Sequence, residues 1–124
     1  MIFRLEMISD SFWEIVKNAS KNREKLESIL LEKDKNDICD FAKEFDEAAV
    51  ALTDSRFLNC MEDQLSEDNI EDICNWIVSQ GEKYYENIYN YPDLMPKYQD
   101  IQFHEILIGV AGNVYEDKFD EELL

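Results

Sequence analysis

One histidine, three cysteines and 29 carboxylates are the material for chemistry in this 124-residue chain. His104 has no serine or cysteine nearby in sequence, so no base–nucleophile pair of the acyl-transfer kind is visible, and it reads as a structural or surface histidine. Cys39, Cys60 and Cys74 contain no Cys-x-x-Cys pair. Zinc would need all three to converge with His104 as fourth ligand, a set without any ligand-pair spacing. Their odd number and apolar neighbours predict three reduced, buried thiols in a reducing compartment. Three glycines cannot make a phosphate-cradling loop at the required spacing.

Carboxylates at helical spacing are the commonest arrangement. Glu67, Asp68, Glu71 and Asp72 form two acidic i, i+4 pairs, which repel unless something basic meets them. A cation site or a glycosidase-like pair can be built from such residues. There is no Asp-x-Asp-x-Asp-Gly loop, however, and a solvated helix face is far more frequent. The residues therefore predict no metal, no cofactor and no catalysis. Tyr84, Tyr85, Tyr89, Tyr91 and Tyr98 add an aromatic cluster, and tyrosine combines apolar area with a hydroxyl, as interface hot spots do. Half of these are expected in the core and the rest on a partner-facing surface. The predicted docking residues are Glu67, Asp68, Glu71, Asp72, Tyr84, Tyr89 and Tyr91.

Charge gives that surface its sign. The chain carries a net charge of −17. Residues 1–56 hold 13 acids and nine bases, net −4, whereas residues 57–124 hold 16 acids and three bases, net −13. Such a field repels nucleic acid and anionic membranes and speeds encounter with basic partners. Acidity can also serve solubility alone. The N-terminal Met-Ile-Phe-Arg-Leu-Glu-Met has an early charge and no apolar run of signal-peptide length. The longest apolar stretch, Ile106 to Gly112, is far short of the ~20 residues that span a bilayer. A cytoplasmic location is expected.

The elements that must position these groups are helices. A content of 45% apolar and 12% aromatic residues suits one packed core, and three Gly and two Pro leave little for a many-turned β fold. Six to seven helices in a single all-α domain over residues 1–124 are predicted. Ser9, Asp10 or Ser11 caps the first, with Ser11 and Glu14 at capping-box spacing, and its Phe12, Ile15 and Val16 recur at helical period. Ser20 is expected to open a second, with Leu26, Ile29 and Leu30 inward. Asn36 or Asp37 is expected to cap a third, whose apolar face runs from Ile38 to Leu52.

A short helix is predicted around Phe57 to Met61. Ser66 caps the next, Gly81 terminates it or allows close packing, and a further helix runs to Pro92. Beyond a loop at 91–100, one amphipathic helix is expected to carry Phe103, Ile106, Leu107, Val110, Val114 and Tyr115. Met1 to Met7 alternates enough for a short strand. Trp13, Phe41, Phe45, Leu52, Trp76, Ile77 and Leu107 are the predicted core.

The run Ser66-Glu67-Asp68-Asn69-Ile70, followed by Asp72-Ile73, Trp76-Ile77-Val78, Gly81, Tyr85-Glu86 and Pro92-Asp93, resembles domain-of-unknown-function family 4240, a set of small bacterial proteins. The early Phe12-Trp13 is similar to that family's opening, and the resemblance covers residues 11–118. The family tends to carry aromatics where Ile70 and Ile73 stand, and an arginine where Cys74 stands. The resemblance implies an all-helical fold in a bacterial cytoplasm and no established activity. Small acidic proteins of such families often look like immunity proteins encoded beside toxins. A nuclease toxin has a basic, phosphate-binding cleft that an acidic helical face can occupy. The expected function is therefore a non-enzymatic acidic protein that neutralises a basic toxin domain. The alternative is a bacterial interaction or regulatory domain with another partner.

Overall fold

In the computed structural model, which describes residues 3–121, seven α-helices follow one another without a strand among the described residues: α1 Asp10–Ala19, α2 Arg23–Leu31, α3 Lys35–Ala51, α4 Ser55–Leu58, α5 Glu67–Ser79, α6 Glu82–Asn90 and α7 Val110–Phe119. The chain is all-α, and its buried apolar side chains form a single cluster. All seven predicted core residues are buried within it.

Helices α1 to α5 begin where a short polar side chain satisfies a free backbone N–H, whereas α6 and α7 begin at Gly81 and Gly109 without a side-chain cap. Ser9 takes the Phe12 N–H and starts α1. Its own N–H and hydroxyl are donated to the Glu44 carboxylate on α3, at 2.7 and 3.0 Å, so Ser9, and not Ser11, is the cap. Asn22 caps α2. Ser20, expected to open α2, lies with Lys21 in the left-handed region, φ 50° and 59°, and closes α1. Asp34 caps α3 by accepting from the Asp37 N–H, so α3 starts ahead of the expected Asn36 or Asp37. Asp54 caps α4 and Ser66 caps α5. Local capping propensity is nearly the same at several adjacent Ser, Asp and Asn positions. Packing selects among them.

α1 lies on α2, α7 packs on α2 and α3, and α5 packs on α3 and pairs with α6. The centre is aromatic. Phe12 stacks on Phe41 with centroids 4.9 Å apart and meets Phe45 edge-on at 6.1 Å. Trp13 touches Tyr85 at 5.3 Å. The buried Tyr85 hydroxyl donates to the Ala48 carbonyl at 2.6 Å, which removes the cost of burying a phenol. Gly81 has φ 106°, and a Cβ there would meet nothing within 4 Å. Its role is the backbone turn between α5 and α6, not close packing.

Two stretches differ from the sequence reading. Leu5–Met7 is a 3₁₀ turn, since an alternating segment without a neighbouring strand has nothing to pair with; residues 1 and 2 of the expected strand lie outside the described residues. The last helix starts at Val110, so Phe103, Ile106 and Leu107 are not helical; Phe103–Glu105 is a 3₁₀ turn. The reason is visible in the hydrogen bonds. Arg23 Nη1 on α2 donates to the carbonyls of Ile106 and Ile108 at 2.6 and 2.8 Å. The Leu107 N–H donates to the buried Ser79 hydroxyl at 2.9 Å, which itself donates to the Asn75 carbonyl. Side chains of α2 and α5 thus take the backbone partners that a helical turn would use, and Gly109, φ 89°, turns the chain into α7.

Candidate functional site

The surface with the most chemistry is one face of α5 and the part of the 91–105 segment, residues 98–105, that packs against it. Ser66 places Glu67 and Asp68 in the first turn of α5, where the positive end of the helix dipole stabilises each by about 0.3–1 kcal/mol. The like-charge pairs Glu67–Glu71 and Asp68–Asp72 oppose this by a similar amount. Helix stability therefore neither demands nor resists the run. Glu67, Asp68 and Glu71 are exposed, and Asp72 is half-buried.

The positions one turn apart on α5 from Asp72 to Gln80 are covered by this segment. The Tyr98 hydroxyl donates to Asp72 Oδ2 at 3.3 Å. Trp76 Nε1 and the Gln80 amide donate to Glu105 Oε1 at 3.1 and 3.4 Å. Tyr84, half-buried on α6, meets Trp76 edge-on with centroids 5.5 Å apart. Burial, with Asp100 nearby, pushes its phenol above the ordinary tyrosine range. Tyr98 is pushed the same way by burial and by the negative charge of Asp72.

Of the seven predicted docking residues, the structure thus groups the four acids and reaches Tyr84 through Trp76. It puts Tyr89 elsewhere. That ring packs against Phe57 and Phe3 at 5.6 and 5.7 Å under the Arg56 guanidinium, and Arg56 also donates to the Tyr89 carbonyl at 2.7 Å. Tyr89 is a packing residue that anchors α6 to α4. Tyr91 is 60% exposed just beyond α6, and no described contact ties it to the acids. Tyr98 and Phe103 belong to the face and were not among the predicted set. The apolar period places Phe103 on the inner side of a helix, and Gly109, which interrupts that period, is the sequence signal against it.

No ion pair among the described residues involves the acids of this face, and four of the chain's 12 lysines and arginines are held elsewhere. Lys35–Glu121, at 3.1 Å, is the one ion pair among the described residues. Arg23 and Arg56 hold carbonyls, and Lys118 donates to the carbonyls of Leu31 and Lys33 at 2.7 and 2.6 Å, where helix α2 ends and its carbonyls carry negative potential.

A protein-family model matches residues 7–117, and the family is described as a protein of unknown function, DUF4240. The chain belongs to the DUF4240 family. No curated protein and no solved structure matches it. The DUF4240 match takes in α1 through most of α7, so the acidic face, the 91–105 segment and the Arg23 contact that shapes its end all lie within it.

Other groups are less organised. A concavity of about 600 Å³ lies between α1 and the α5–α6 turn. Its three lysines, Lys17, Lys21 and Lys83, are matched by Asp10, Glu14 and Glu82, so it has no net sign with which to select a ligand. The thiols are free but not alike. Cys74 is buried, Cys39 half-buried and Cys60 exposed, which corrects the expectation of three buried thiols: Cys60 lies in the turn beyond α4, where Leu58 is exposed as well. Burial pushes the Cys74 thiol up to about 12, with Glu71 adding to the effect. His104 is exposed on a 3₁₀ turn. No three His, Cys, Asp or Glu side chains converge among the described residues in a way that would hold a metal ion. No helix among them is long and apolar enough to cross a membrane.

Proposed function

We propose that this DUF4240 chain is an acidic binding protein whose α5 face docks a basic protein partner, and that its specific role is neutralisation of a basic toxin domain in a bacterial cytoplasm. It acts by occupying a surface and not by catalysis. The observation that carries this reading is the unpaired acidic run at Glu67, Asp68, Glu71 and Asp72 in a molecule with one ion pair among its described residues. An uncompensated field of this kind raises encounter rates with cations and lowers them with phosphates. Burial of Trp76 and half-burial of Tyr84 behind the acids support a rigid platform, which lowers the entropic cost of docking.

The test is co-expression with the product of an adjacent gene, scored by growth and by co-purification. A basic neighbour whose toxicity disappears and which co-purifies, with an association rate that falls steeply as salt rises, is the expected result. An acidic partner, or binding indifferent to salt, would discard the electrostatic reading.

A further inference from the structure

Three large side chains on the segment after α6 are exposed: Tyr91 at 60%, Leu94 at 52% and Phe103 at 54%. Phe103 differs from the other two in what surrounds it. Its ring meets Tyr98 edge-on with centroids 5.6 Å apart, and the Tyr98 hydroxyl is held by Asp72. The next acid along that face of α5 is Asp68, whose charge is felt at Tyr98. Asp100 and Glu105 flank Phe103 in the sequence, Lys97 is the one lysine or arginine between residues 91 and 105, and the exposed His104 is next to Phe103. An aromatic ring more than half in water, backed by a second ring whose hydroxyl is held by a carboxylate, is an anchor without a socket. Tyr98 is held by its hydrogen bond and the segment by the Glu105, Ser79 and Arg23 contacts, so the ring is presented by a fixed support.

We infer that Phe103, backed by Tyr98, is the hydrophobic anchor of the acidic face, and that its occupant is a basic amphipathic helix. The inference rests on the acidic-face reading above and names the partner's chemistry. A helix with apolar residues at i, i+3 and i+4 offers a gap that a phenyl ring fills. Lysines or arginines flanking that stripe reach Asp68, Asp72 and Asp100 from one element about 10 Å across. A second copy of this chain does not fit, because two −17 molecules repel.

Two synthetic peptides of equal charge separate the possibilities: a Lys/Leu peptide with helical amphipathic spacing, and oligolysine. Each is titrated into the full chain at about 0.15 M salt, where screening leaves only charges within about 8 Å effective. The Lys/Leu peptide should bind at least about tenfold more tightly and shift the amide resonances around Phe103. Phe103→Ala should abolish that advantage and leave oligolysine binding unchanged; its exposed position keeps the fold, which an unaltered melting curve verifies. Tyr91→Ala should leave the advantage in place. Equal affinity of the two peptides, or an advantage that survives Phe103→Ala, overturns the anchor while the acidic face stands. Binding of neither peptide removes both. Concentration-dependent dimerisation abolished by Phe103→Ala would overturn the helix in favour of self-association.

Discussion

The two parts of the chain carry charge very unequally. Residues 1–56 contain nine of the 12 bases, residues 57–124 only three, while the acids divide 13 to 16. Yet the cations of the first part scarcely neutralise the acids of the second. Arg23 and Arg56 reach across to backbone carbonyls at residues 106, 108 and 89, and Lys118 reaches back to carbonyls at 31 and 33. Among the described residues, only Lys35 spans the two parts as an ion pair, with Glu121. Carbonyls take up Arg23, Arg56 and Lys118, which hold the backbone, and the acids of α5 form no ion pair among the described residues. Segregation, and not balance, is the consequence.

The sharpest way to break this comparison is at Arg23. Arg23→Met removes a charged donor from two carbonyls of a half-buried segment, and the expected loss is about 2–3 kcal/mol. Chemical denaturation would measure it; a change below about 0.5 kcal/mol would mean that water replaces the guanidinium without cost. Ser79→Ala should come close behind, about 1–3 kcal/mol, because the buried Leu107 N–H loses its acceptor. Hydrogen exchange at Leu107 should accelerate in both variants.

Reversing the charge of Glu67 and Glu71 tests the other part. Association with a basic partner should slow by about tenfold and lose much of its salt dependence, while the fold is retained. The same reversal at Glu27 and Glu32 on the first part should matter less. Equal losses from the two pairs would show that net charge alone counts, and stopped-flow rates would read the difference directly.

Smaller effects follow from the thiols and from Glu82. At about pH 8, where an ordinary thiol is partly ionised, Cys60 should be alkylated first and Cys74 only on unfolding, since its thiol stays protonated and covered. Rapid labelling of Cys74 in the native protein would show that α5 opens. Glu82 is held above the usual carboxylate range by burial and by its neighbours Glu86 and Asp10. A raised folded pKa means that this group favours folding below its unfolded pKa and that this contribution disappears as pH rises through the folded value. Glu82→Gln should therefore raise the Tm slightly near neutral pH and leave it unchanged at about pH 3, where the carboxyl is neutral in both states.

Much of this was legible in the residues. The periodicities of Phe12 to Val16, Ile38 to Leu52 and Ile70 to Val78 gave helices and an aromatic core that the structure contains, because a 3.6-residue apolar period leaves a helix one way to bury its stripe. The acidic run was equally plain, since its charges need only be counted. The tyrosines were not: Tyr89 and Tyr91 are two residues apart, and one lies under Arg56 while the other stands in solvent. A helical phase error of one position near a helix end is enough to exchange those fates.

By itself the sequence determined the all-helical class, the core aromatics, the acidic excess and its asymmetry, all properties set by residue type and local spacing. Only the tertiary structure decided where the cations go, which of several adjacent caps acts, and that residues 103–109 leave the helix. Those choices depend on Arg23 meeting carbonyls more than 80 positions away and on Ser79 meeting the Leu107 N–H. A local pattern carries no record of such partners, because the energy that favours them exists only once the chain has brought them together.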